Sequence, residues 1–325
     1  MIALLLGIII MLGVTQIATS NSNTRYELDR SGRQIENATF ALRELENDLT
    51  NAAFWGEKGA ESPGTIPPVC ADEIVELKQA MGYPVQGGQN PDAAFDCTAT
   101  TPKAGTNYLS IRRANSCATL DPAGCEPAGD NYHIKVHACF NESSTDKPGD
   151  FDIFSASEVS SLAYKQRDCD TDAPEYRFLN RIYYINDDDQ LVRAELVGKT
   201  YEETPLVDGV EWMRFQYGMD RNGDGQVDDD VNANTLDPTY DLATDTPDAF
   251  PNDWADVVSV RISLVVRNTG EGGESTGESA GFVDDKDYTV AGEPYTVPAE
   301  FQGHRRQVYT RTVSLRNVAG RRQVE

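Results

Sequence analysis

Basic residues are scarce in this 325-residue chain: 28 Lys and Arg stand against 53 Asp and Glu, a formal net charge of −25. Such a surface repels phosphate backbones, which excludes nucleic-acid binding as a main function. Histidine is scarcer still, with three in all, so mechanisms that need several histidine ligands or a proton relay lack their parts. No GxSxG, HExxH, P-loop or GxGxxG sequence occurs, and in so acidic a chain paired carboxylates do not signal catalysis, so no catalytic residue is assigned. The cysteines form no CxxC or CxxxC pair, which argues against zinc. No Lys or Arg precedes Arg25, so the charged leading region of a secretory signal peptide is missing from the apolar opening. A core is still affordable by composition: 39% of residues are hydrophobic, in a length that suits one large domain or two ordinary ones.

Cys70, Cys97, Cys117, Cys125, Cys139 and Cys169 all fall in one stretch behind that apolar opening. An even, clustered set in an exported chain reads as three disulfides. Short loops close at least entropic cost, which favours Cys117 with Cys125. Sequence proximity then suggests Cys70 with Cys97 and Cys139 with Cys169.

Residues 1–14, MIALLLGIIIMLGV, carry no charge and continue through Thr15, Gln16, Ile17 and Ala18, slightly short of the ~20 residues a spanning helix needs. From Leu28 the apolar positions Leu28, Ile35, Leu42 and Leu49, interleaved with Ala38, Leu45 and Ala52, are spaced by three and four. Arg30, Arg33, Glu36, Arg43, Glu44, Glu46 and Asp48 occupy the other face. With no proline before Pro63, and with Trp55, Gly56 and Gly59 marking the end, one helix of about 50 residues and roughly 75 Å is expected. Its first part, 1–20, suits lipid or a filament core; 21–56 suits a protein surface.

Residues 57–325 read as an antiparallel β head. Its Cys-rich part, 57–175, offers a short helix at 73–81 and a strand at 107–114 among Gly- and Pro-rich loops. NYHIKVHACF (131–140) alternates Tyr132, Ile134, Val136, Ala138 and Phe140 with His133, Lys135, His137 and Cys139, the pattern of a half-buried strand. YRFLNRIYYI and LVRAELV flank a turn at 186–189 and predict a hairpin. Three more strands follow at 210–219, 257–268 and 307–317, and the acidic, glycine-rich 268–281 reads as a surface loop.

Asp220, Asn222, Asp224 and Gly225 follow the D-x-[DN]-x-[DN]-G opening of a calcium loop, with Gln226 offering a carbonyl and Asp228 at the ninth position. The twelfth position holds Val231 in place of a bidentate Glu, so Asp230 or Asp229 would close the shell. Calcium is the expected ion; a polar turn between strands is the alternative. His133 and His137 lie roughly 13 Å apart on one strand face at ~3.3 Å per residue, too far to share an ion with Cys139.

The apolar opening followed by a long amphipathic helix resembles the N-terminal segment of type IV pilins and pseudopilins. The Phe-Thr-Leu-Ile-Glu-Leu stretch of that family has no counterpart, and no residue takes the place of its glutamate. PLVDGVEWMRFQYGMDRNGDG (205–225), WADVVSVRISLVVRN (254–268) and YTRTVSLRN (309–317) are similar to the C-terminal half of the PilW family of minor pilins. The resemblance implies an α+β, pilin-like fold, a long N-terminal helix packed on an antiparallel sheet head. It also implies a structural subunit of a type IV pilus, at its tip, priming assembly and supporting a tip adhesin. Its partners would be other minor and major pilins and, before assembly, the inner membrane, with the head periplasmic and later extracellular. A type II secretion pseudopilin and a secreted calcium-binding adhesive module behind an ordinary signal peptide share these features.

Overall fold

The computed structural model describes residues 2–59, 61–93, 95–119, 131–141, 145–155, 163–228, 253–269 and 282–322. The apolar opening and the amphipathic stretch form one helix, α1 (Ile2–Asn51). Burial starts at Arg30 and recurs at Gln34, Ala38, Ala41, Leu42, Leu45, Asp48, Leu49 and Ala52, one face of a helix. Leu28 and Ile35, expected in this stripe, are exposed, while Arg30 and Asp48, expected outside it, are buried. Polar partners rotate the helix to this face: Gln34 Nε2 donates to Val266 O at 2.6 Å, and Asp48 enters a cluster of arginines. α1 stops short of the glycines because Ala53 turns to a φ of 61° and donates its N–H to Arg112 O at 3.1 Å. No described helix is long and apolar enough to cross a membrane, which corrects the expected transmembrane segment. Thr15, Gln16 and the polar run from Thr19 cut the apolar stretch below the ~20 residues required.

After α2 (Ile74–Ala80), strands β1 (Val85–Gln89), β2 (Asn107–Ala118), β3 (Tyr132–Val136), β4 (Phe151–Ser155), β5 (Glu175–Ile185), β6 (Gln190–Val197) and β7 (Thr200–Asp208) make a seven-stranded sheet. β5 is its hub, with β2 along one edge and, on the other, β3 at its start and β6 at its end. The turn before β6 bends at Asp189, and the β5–β6 hairpin keeps register through Ile182 opposite Ala194. β8 (Val210–Met219) and β9 (Val257–Arg267) are followed by the ribbon β10 (Tyr288–Val290) and β11 (Glu293–Tyr295). β12 (Arg306–Ser314) then pairs with β9, giving a three-stranded sheet in the order β12-β9-β8. α3 (Arg316–Arg322) closes the described chain.

The expected α+β class, one helix on a single antiparallel sheet head, is therefore corrected: twelve strands in three sheets make the described body mostly β. The apolar faces of two sheets bury each other, with Leu109, Tyr183 and Ile185 clustered with Met213, Phe215, Ile262 and Leu264. Ala38, Leu42, Leu45 and Leu49 of α1 join that cluster rather than covering a sheet alone. Leu45 has no exposed surface, so Leu45→Ala is expected to remove about 2.5 kcal/mol of stability by leaving a cavity. Glu44→Ala, losing only a half-exposed contact with Arg193 at 3.7 Å, should stay below ~1 kcal/mol. Urea unfolding that ranks the two variants equally would remove this packing.

β3 is buried on both faces, not half-buried, because His133 stacks on Phe154 and Lys135 reaches Glu175 at 3.4 Å. Phe140, placed by alternation on the apolar face, lies past the strand's end and is exposed. Arg112 is fully buried in β2 and donates to Tyr83 O, Gln86 Oε1 and Pro68 O at 2.9, 2.9 and 3.3 Å; burial pushes its pKa down to about 10. It thereby ties down the segment that carries Cys70. Cys70 is joined to Cys97 and Cys139 to Cys169. Cys117 is disulfide-bonded as well; Cys125, its expected partner, lies outside the described residues, as do residues 270–281 of the glycine-rich stretch.

Candidate functional site

The expected calcium loop leaves β8 at Met219 and winds around one carboxylate. Asp220 has no exposed surface; its Oδ1 accepts the N–H groups of Gly223 and Asp224 at 2.8 and 3.1 Å, and its Oδ2 that of Gly225 at 2.8 Å. Gly223 and Gly225 take φ of 81° and 80°, a left-handed bend that side chains disfavour. Asn222 Oδ1 accepts Asp224 N, Asp224 Oδ1 accepts Gln226 N, and Asp228 Oδ2 accepts Arg221 N, at 2.8, 2.8 and 2.6 Å. Arg322 lies 3.5 Å from Asp220 Oδ2 and donates to Ala255 O and Asp256 Oδ1. Main-chain N–H groups and one guanidinium thus face these carboxylates. Among the described residues no three Asp, Glu, His or Cys side chains converge as a metal site would; Asp229 and Asp230 lie outside them.

His133 and His137 belong to the core of the β3 lobe. Burial pushes the His133 pKa down, and His137 Nδ1 accepts the N–H of Lys165 at 3.1 Å beside the Tyr164 ring.

Two buried polar clusters, neither anticipated from the sequence, lock the elements together. Asp48 of α1 accepts Arg113 Nη2 at 2.8 Å, Arg181 Nη1 at 2.9 Å and the Tyr183 hydroxyl at 2.6 Å. Burial alone would raise its pKa, but the Arg181 and Arg113 charges and the Tyr183 bond outweigh it and hold the carboxyl below its ordinary range. Glu211 of β8 accepts Arg306 Nε at 2.5 Å, Arg306 Nη2 at 2.8 Å, the Tyr295 hydroxyl at 2.8 Å and Arg267 Nη1 at 3.3 Å. Arg306 also reaches Asp284 at 3.3 Å, and Arg267 reaches Asp189 at 2.7 Å, where Lys103 pairs too. Burial opposes ionisation of Glu211, yet the Arg306 bonds and charge, with Tyr295 and Arg267, lower its pKa. One signal pointed to Asp48: it sits three residues after Leu45 and four before Ala52, inside the stripe. Glu211 shows in the sequence only as a single charge at the edge of an apolar strand, and Arg306 only as the second of two adjacent arginines at the start of a mixed one.

Ahead of Arg30, the exposed side chains of α1 include Ile10, Met11, Leu12, Val14 and Ile17, an apolar set outside the core. The molecule thus offers a rod with apolar flanks, its lower half clamped to a β body. No curated protein and no solved structure matches the chain. Residues 182–317, from the end of β5 into α3 and including the whole three-stranded sheet, match the family model PilW, type IV pilus-assembly protein W, and this part of the chain is PilW-like.

Proposed function

We propose that the chain is a minor pilin, a structural subunit of a type IV pilus that sits at the tip, primes assembly and supports a tip adhesin. The match of residues 182–317 to PilW carries this reading. The exposed apolar flank of α1 supports it, because burying such side chains between subunits stabilises association by roughly 25 cal/mol per Å² of apolar surface. On this reading the chain is not an enzyme, its partners are other minor and major pilins, and its disulfides suit an oxidising compartment outside the cytoplasm. Deleting the gene is expected to remove surface pili, counted by electron microscopy. Wild type should restore them, and a variant carrying Ile10→Asp and Ile17→Asp should not. Normal pilus numbers with impaired protein secretion would assign the chain to a type II secretion pseudopilus instead.

We also propose that calcium binds the loop from Asp220 to Asp230, a reading supported by its D-x-N-x-D-G sequence and by the glycine bends at Gly223 and Gly225. The melting temperature should then rise with calcium over chelator, equivalent to about 2.7 kcal/mol at a hundredfold excess over Kd. Asp224→Ala should abolish the rise. Equal melting in calcium and chelator leaves the loop a polar turn.

A further inference from the structure

β12 is an edge strand, and its register shows which of its main-chain groups are left over. It pairs with β9 without a break from Arg306 opposite Arg267 to Ser314 opposite Ser259. Just beyond each end, Asn268 N donates to Arg305 O at 2.9 Å and Leu315 N to Val258 O at 2.8 Å. Bonded pairs alternate in an antiparallel ladder, so the odd-numbered residues from 305 to 315 turn their N–H and C=O groups to β9. Those of Val308, Thr310 and Thr312 point away from it, and no described strand takes them up. Thr310, Arg311, Thr312 and Ser314 are exposed, with Arg311 held by Glu46 of α1 at 2.5 Å. Natural sheets guard such edges. β7 does so with Pro205, a shift of register beside it, and Glu202 and Glu203, whereas β12 has no proline, glycine, lysine or acid and no shift.

The edge is also basic. From Gly303 to Arg322 the sequence has six arginines and no carboxylate, in a chain where acids outnumber bases 53 to 28. At the start of β12 the edge runs into a cavity of about 210 Å³ lined by Ile35 of α1, Tyr288 of β10, Phe282, Lys286, Arg305 and Gln307. α1 packs on the Leu264 face of the sheet and β10 on the Val265 face, so a cavity that touches both opens at the edge between them. Lys286 makes no ion pair with a described residue, and Arg305 has only Glu27, at 3.6 Å, as a described partner of opposite sign. Pairing of β12 with a second copy would bring together two bodies of net charge −25, which disfavours it. We infer that the β12 edge receives an extended acidic segment of another protein, added antiparallel as a fourth strand, with an acidic side chain near its C-terminal end over Lys286 and Arg305. Main-chain bonds supply the affinity, and the cations select the partner.

The probe is a dansylated octapeptide, Asp-Thr-Val-Thr-Val-Thr-Val-Glu, amidated at its C-terminus and titrated with the full-length protein by fluorescence anisotropy. Two further versions are N-methylated, one at its threonines and one at its valines, so that each loses the donors of one edge only. One version should bind at least about tenfold more weakly than the parent and the other about equally, since only one edge of the peptide meets β12. Replacing the last residue by Gln should weaken binding about threefold with the wild type and leave it unchanged with a variant carrying Lys286→Gln and Arg305→Gln. Thr310→Pro removes a donor that β9 does not use and should abolish binding, while the methylated peptides keep the result independent of how that variant folds. Equal loss from both methylation patterns, no binding at about millimolar peptide, or no response to the Gln replacement overturns the inference. A dimer in sedimentation velocity that Thr310→Pro dissociates would place a second copy on the edge and overturn the assignment to another protein.

Discussion

Asp48→Ala is expected to lower the unfolding free energy of the whole protein by about 3–5 kcal/mol, the cost of removing one partner from a buried ion cluster. Asp48 retains almost no exposed surface, and its removal strands Arg113 and the Tyr183 hydroxyl and leaves Arg181 with Glu195 as its remaining carboxylate, at 2.6 Å. The size of the effect comes from these orphaned groups more than from the lost attraction. A second substitution separates this account from simple helix destabilisation. Tyr183→Phe alone should cost about 1.5 kcal/mol, the value of a hydrogen bond to a charged group, and close to nothing in the Asp48→Ala background. Urea unfolding followed by circular dichroism reads both. Additive losses would show that the hydroxyl and the carboxylate do not act as one unit.

Glu211→Ala should be as severe, about 3–5 kcal/mol, since it leaves the buried Arg306 and Arg267 facing each other. Asp284 and Asp189 still compensate part of that charge, so Glu211→Gln, which keeps the hydrogen-bond acceptor, should recover some of the loss. The same two clusters set the acid limit of the fold. Asp48 and Glu211 both have folded pKa values below their ordinary ones, so the folded state binds fewer protons than the unfolded chain as pH falls through ~4. Their stabilisation is fully present above the unfolded pKa and disappears as pH drops through the folded pKa. The contribution of these two carboxylates should therefore be level from pH ~5 upwards and fall steeply below pH ~4, and Asp48→Asn should flatten that fall. An acid limb of equal slope in wild type and Asp48→Asn would remove Asp48 from the list of titrating groups.

Much of the body was legible because apolar alternation reports burial directly. The β5–β6 hairpin, β8 and β9 lie where alternation and turn residues place them, whereas β12 ends at Ser314 and Arg316 and Asn317, expected in its strand, open α3; compartment plus proximity was enough to pair Cys70 with Cys97 and Cys139 with Cys169. Alternation reports only which positions are buried, not what lies opposite. It could not show that a second sheet covers the first, which is why a helix on a single sheet was the wrong class. It also assigns charges to solvent by default, and so put Arg30 and Asp48 on the outside of α1. Helical phase differs little between a stripe centred on Leu28 and Ile35 and one centred on Arg30 and Gln34. Long-range partners decided it: Val266 for Gln34, and Arg113 and Arg181 for Asp48. In the loop at 220–228 the sequence showed the donors and glycines, but not that Arg322, about a hundred residues later, would stand against Asp220.

The strip along which α1 meets the body runs from Arg30 to Ala52, about 33 Å at ~1.5 Å per residue, and lies along the helix axis. Tension applied to α1 ahead of Arg30 therefore loads the strip in shear. The Gln34 bond to β9, the packed leucines and the Asp48 clamp on β2 and β5 share the force in parallel, since a stiff helix moves them together. Rupture then requires these contacts to yield at once rather than peel one after another. The chain is built to hand tension from its rod to two sheets simultaneously.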